Sequence, residues 1–191
     1  MSAAAGVSDL VRDAWWASSA PSSFFRALQQ QSQPRVGRAL LAAVMAVLLA
    51  LAVLSLAFVR ATASDGWLVV WLLASAIGLP YLGMVLLLGG LVMVRPAQLD
   101  LRAWEIAAWA WTPAGALGLS LAPAVYFAPV PAVLVGLLAF PFWHVVLVAN
   151  GVNVFAPRRR LVAISVYLAA VFLVPGLLTA VSYAVMSGMR P

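Results

Sequence analysis

The chain has 191 residues, of which 65% are hydrophobic and 8% charged, against roughly 45–50% and about 25% in an ordinary soluble domain. So little polar surface cannot cover a water-soluble fold of this size, which leaves a polytopic membrane protein with a single domain. The formal net charge of +6 is carried by arginines set at the ends of apolar stretches and not gathered on one face, which speaks against a nucleic-acid partner, and the absence of cysteine excludes disulfides, thiolate ligands and a cysteine nucleophile.

Residues 1–9 are small and polar and are expected to be disordered. Val7, Leu10, Val11, Ala14 and Trp15 follow helical spacing, with Asp9, Arg12 and Asp13 opposite them. Ser18 to Pro21 interrupt that pattern, and Ser19 or Ser22 is placed to cap a second short helix carrying Phe24, Phe25 and Leu28. Two amphipathic pieces of this kind either lie in the head-group region or pack on the cytoplasmic ends of the spans. No apolar core precedes Arg35, so a cleavable signal peptide is not expected and the first span is its own targeting signal.

Four uncharged stretches follow, at 39–59, 67–94, 106–157 and 161–189. A bilayer core is crossed by about 20 apolar residues, so three stretches hold one span each and the longest holds two. Trp67 and Trp71 stand where an interfacial belt belongs, and Pro80 offers a bend in an over-long second span. Gly83, Gly89 and Gly90 leave room for a neighbouring helix. In the third span Pro113 frees a carbonyl one turn earlier, for the Thr112 hydroxyl or a neighbouring helix to satisfy. Pro123, Pro129 and Pro131 mark the turn before the fourth span, and Pro175-Gly176 falls inside the fifth. The predicted fold is all-α: a transmembrane bundle of five helices, at about 39–59, 67–94, 104–121, 131–154 and 161–186. These form one domain over 39–187, behind an amphipathic N-terminal segment, 1–38. An N-terminus in the cytoplasm places nine arginines inside and only Arg60 and Arg190 outside, with the C-terminus outside.

Few side chains within the spans can carry chemistry. His144 is the one histidine, suited to a proton relay or, more commonly, to a hydrogen bond with a neighbouring helix. Glu105 stands near the inner end of the third span, within reach of head-group water or of Arg102. Asn150 and Asn153 share a helical face, where they line a polar cavity or bond another helix. Together with Trp109, Thr112 and Pro113 these are the candidate polar, partner-contact or lipid-contact positions. No zinc motif, phosphate-binding glycine loop or nucleophile elbow is present, so neither a catalytic set nor a cofactor or metal is expected.

Three segments stand out in order: a Pro-x-x-Phe-Phe element (Pro21, Phe24, Phe25), an aromatic run into Thr-Pro (Trp109, Trp111, Thr112, Pro113), and Asn150-Gly151 before a basic turn. Together they resemble the Yip-domain family, integral membrane proteins named for eukaryotic members that bind Ypt/Rab GTPases. The resemblance runs from about residue 18 to 186 and implies a cytoplasmic N-terminus and five spans. The long N-terminal region and Asp-Leu-Tyr-Gly-Pro motif of eukaryotic members are missing, so GTPase binding is not carried over. Abundant Ala and Arg without Lys point to a bacterial member in the cell membrane. Two functions are in view. One is a non-enzymatic protein organising membranes through lipids, a protein partner or a second copy; the other is a small transporter, channel or lipid-moving protein, suggested by the prolines within spans.

Overall fold

A computed structural model describes the backbone of residues 3–61, 67–95 and 100–188, and side chains for most of 6–56, 81–95, 100–128 and 131–180. The described structure is helical throughout: α1 (Ala3–Ser19), α2 (Pro21–Gln29), α3 (Val36–Ala61), α4 (Trp67–Val94), α5 (Asp100–Trp109), α6 (Thr112–Phe127), α7 (Pro129–Phe155), a 3-10 turn (Pro157–Arg159) and α8 (Arg160–Gly188). The connections at 62–66 and 96–99 lie outside the described residues, as do Arg190 and the side chains of Arg60, Trp67, Trp71, Pro80 and Pro175.

The expected spans one, two, four and five fall within α3, α4, α7 and α8; α4 has the predicted bounds and the others differ by a few residues. Among the described residues, two stretches are long and apolar enough to cross a membrane, Val36–Leu56 and Leu134–Phe155. The third expected span is not one helix. It is α5 and α6, separated at Ala110-Trp111, and neither piece has the length of a crossing helix. The turn before α7 is also tighter than expected: α6 continues through Pro123 to Phe127, Ala128 alone makes the connection, and Pro129 opens α7. At the other end, α1 begins at Ala3 within the segment expected to be disordered; Ala3, Ala4 and Ala5 are strong helix formers.

The packing inverts the pattern of a water-soluble core. On α3 the small residues Ala39, Ala42, Ala43 and Ala46 are buried, while Leu40, Leu41, Val44, Met45 and Leu48 are exposed. Only 22% of the most apolar window of this helix is buried inside the protein. Small residues let backbones approach, and α3 packs most extensively on α6. A Cβ on Gly115 would stand 3.0 Å from Ala46 Cα, and one on Gly118 would stand 3.2 Å from Ala50 Cα. α4 packs mainly on α8, where Gly89 admits Tyr167 and Val171, and α5 is held among α3, α4 and α7. The main core gathers at α5, drawing Phe24, Phe25, Leu86, Trp109, Leu147 and Tyr167 from five helices.

Candidate functional site

The break between α5 and α6 follows from Pro113. Proline has no N–H, so the Trp109 carbonyl loses its donor in the helical ladder. The Thr112 hydroxyl donates to it instead, at 2.8 Å. The Ala114 N–H turns to the Trp111 carbonyl at 3.0 Å, which leaves the Ala110 carbonyl free of its own helix. His144 of α7 closes that gap, with Nδ1 at 3.1 Å from the Ala110 oxygen. A carbonyl only accepts, so Nδ1 carries a proton. The ring is completely buried, stacked on Tyr167 at 5.6 Å and edge-on to Trp111 and Phe140. Its Nε2 makes no hydrogen bond, and a Cβ on Gly90 would come within 3.4 Å of it.

The N-terminal segment is docked against this joint. Ser18 Oγ lies 2.9 Å from Thr112 Oγ1 and 2.9 Å from the Ala14 carbonyl, and Trp143 Nε1 donates to the Ser18 carbonyl at 3.1 Å. Phe24 meets the Trp109 ring edge-on at 5.0 Å, and both are buried. Ser22 Oγ donates to Asn150 Oδ1 at 2.7 Å, and Gln29 Nε2 to the Val154 carbonyl at 3.3 Å. Neither expected serine cap forms. α2 starts at Ala20 without a side-chain cap, with Pro21 in its first turn; Ser19 bonds back to the Trp15 carbonyl and Ser22 is engaged by α7. Packing on the bundle is thus realised for α2. On α1, Leu10 and Ala17 face the protein while Val7, Val11 and Trp15 form an exposed stripe.

Glu105 anchors the other end of the segment. It is completely buried, and its Oε2 pairs with Arg102 Nη1 at 2.5 Å. Its Oε1 accepts the Arg35 backbone N–H at 2.9 Å. Arg102 Nη2 donates to the Gln31 carbonyl at 2.6 Å, and its guanidinium lies 5.5 Å from the Phe155 ring centre. Arg38 pairs with Asp13 of α1 at 2.7 Å.

Beside the joint runs an apolar groove of about 530 Å³ between α3, α4, α6 and α7. Its walls include Val47, Leu51, Leu87, Trp111, Leu117 and Phe140, with no charged residue among the lining side chains. Leu40, Val44 and Leu48 of α3 and Met84 of α4 line it and are exposed, so it opens sideways through the apolar surface. Roughly 300–1,000 Å³ is the usual range for a small-molecule site.

Of the residues singled out from the sequence, Trp109, Thr112, Pro113 and His144 converge at the joint, Glu105 sits midway along α5, and Asn150 holds α2. Asn153 does not join them; it is exposed. α2, α5 and α7 pack together here, through Phe24 on Trp109, Ser22 on Asn150, and a Gly151 whose Cβ would stand 2.5 Å from Ile106 Cγ2. Sequence reasoning missed Ser18, Trp143, Arg35 and Tyr167. Their signal was faint: a serine beside an expected cap, and aromatics inside apolar runs where burial is the default. Among the described residues no group of three His, Asp or Glu side chains is placed to hold a metal ion. Comparisons with family models, with curated proteins and with solved structures found no match for this chain.

Proposed function

We propose that this chain is a non-enzymatic, multi-pass membrane protein of Yip-like type that organises membranes through contact with lipid. The observation that carries the reading is the sideways-opening apolar groove, whose lining offers shape and dispersion contacts and no group for acid–base or nucleophilic work. The exposed leucines and valines of α3 and α7 support it, since an apolar surface of this kind is better matched by hydrocarbon than by water. Five crossings, the third made by α5 and α6 together, with the N-terminus in the cytoplasm fit the nine-to-two division of arginines. The shared order of parts supports the likeness to the Yip-domain family.

A photoactivatable acyl chain on a phospholipid tests the reading in native membranes. Adducts are expected on groove-lining residues such as Val47 and Leu117, and Val47→Trp, which fills the groove, is expected to abolish them. Adducts confined to the outer leucines, unchanged by that substitution, would overturn the proposal. A reporter active only in the cytoplasm, fused to the C-terminus, tests the orientation: activity there rules out an odd number of crossings from a cytoplasmic N-terminus.

A second reading, a lipid-moving or transporting protein, is favoured by the broken α5–α6 helix with its buried His144, since interrupted helices line transport pathways. Purified protein in liposomes should then scramble lipid or pass a solute, and His144→Ala should change the rate. Absence of flux over a broad panel removes this reading.

A further inference from the structure

A second cavity, of about 110 Å³, lies where α1, α2 and the start of α3 meet α5. Unlike the groove it carries charged groups: Asp13, Gln31, Arg35, Arg38, Glu105 and Trp109 line it, with apolar side chains of α1 and α2 between them. Three of these carry a buried polar atom without a hydrogen-bond partner: Gln31 Oε1, Arg38 Nε and Trp109 Nε1. Native folds leave few such atoms unpaired, because each has surrendered water without replacement. Trp109 is 2% exposed, so its N–H is shielded from bulk water.

The charges around the cavity set the sign of what fits. Glu105 is committed to Arg102 and to the Arg35 backbone N–H, and Asp13 to Arg38 and Arg12. Among the described residues the Arg35 guanidinium makes no ion pair, and it is exposed at the edge of the cavity. Two unpaired N–H donors on lining residues and one unmatched guanidinium suit an oxygen-rich anion. The Gln31 amide, whose oxygen and nitrogen exchange places by rotation, can turn a third donor towards it. The volume admits a group of several non-hydrogen atoms.

We propose that this cavity binds a phosphate oxyanion, presented by a lipid head group or as the free ion. The lipid source rests on the membrane reading above; the free ion does not. The docked α1–α2 segment forms one wall, so occupancy ties that segment to the bundle.

The full chain, purified in a phosphate-free detergent, is followed by thermal unfolding. Sodium phosphate is compared with sodium chloride at equal ionic strength, and short-chain phosphatidylglycerol with a diacylglycerol of the same tails. Protection by a phosphate-bearing probe beyond its control is expected. Arg35→Gln and Trp109→Phe should each raise the half-saturating concentration about tenfold, through loss of one charge-assisted hydrogen bond. Protection by phosphate identifies the free ion as a ligand, and protection by phosphatidylglycerol alone identifies the head group. Equal protection by the two lipids with none from phosphate overturns the proposal and leaves the groove reading standing. Protection that neither variant weakens overturns it as well, as does protection by no probe. Arg35 is exposed, so its variant is expected to keep the parent's elution volume and decides the matter if Trp109→Phe does not fold.

Discussion

His144 Nδ1 stands 3.1 Å from the Ala110 carbonyl oxygen, a group released from its own helix by the break before Pro113. One side chain thus closes a backbone defect in another helix, and the closure is buried. The joint sets where α5 ends and so where the N-terminal segment docks.

Replacing His144 with Leu leaves that carbonyl unpaired and should cost about 1–3 kcal/mol. Pro113→Ala restores an N–H and lets the ladder run on, so the double variant should lose less than the two single losses added. A thermal-melt cycle in detergent measures the coupling, expected at about 0.5–3 kcal/mol. Simple additivity would show that His144 does not serve the break.

Helix α6 should be intolerant of side chains at its contact with α3. Gly115→Val and Gly118→Val drive a Cβ towards the Ala46 and Ala50 backbone, and overpacking of this kind costs about 1–3 kcal/mol each. Gly37→Ala, with nothing within 4 Å of its Cβ, should melt at or above the parent temperature. Equal effects at all three positions would sink the close-packing account.

The Arg102–Glu105 pair predicts an asymmetry. Glu105→Leu alone strands a nearly buried guanidinium and should destabilise by about 3–5 kcal/mol, whereas Arg102→Met with Glu105→Leu should recover much of that loss. Because Glu105 also holds the Arg35 N–H, the single variant should hasten proteolysis between α2 and α3. A double variant no better than the single one would refute the pairing argument.

Docking of α2 rests on its aromatic edge. Phe24→Ala removes the ring against Trp109 and should cost about 3–5 kcal/mol. Hydrogen exchange in α1 and α2 should rise, while exchange at the α3–α6 contact stays slow. Uniform acceleration along the chain would mean that the segment does not dock as a unit.

The outward stripe of α1 makes a different prediction. Val7→Ser with Val11→Ser should leave the unfolding free energy within about 0.5 kcal/mol of the parent, since both side chains are exposed. Quenching of Trp15 by brominated lipids should fall in the same variant if the stripe enters the head-group boundary. Unchanged quenching would place the stripe in water.

Much of the architecture was legible without coordinates. The helical positions of α3, α4, α7 and α8, the amphipathic pieces before them and a defect at Pro113 all follow from local composition. The candidate set was half legible. His144, Thr112 and Pro113 were named, yet their joint action was not, because Pro113 and His144 are 31 positions apart and no local pattern links them. Asn153 stays exposed while Asn150 holds α2, since a shared helical face does not say how far that face extends under a neighbour.

By itself the sequence determined an all-helical chain with apolar stretches and arginines at their ends, because hydropathy and helix propensity are sums over neighbouring residues. The tertiary structure decided that the third stretch breaks, that α2 docks while one side of α1 stays exposed, and that a buried carboxylate anchors the linker. Each depends on a hydrogen bond or ring contact between residues distant in the chain, and such a partner is supplied only by the packing of one helix on another.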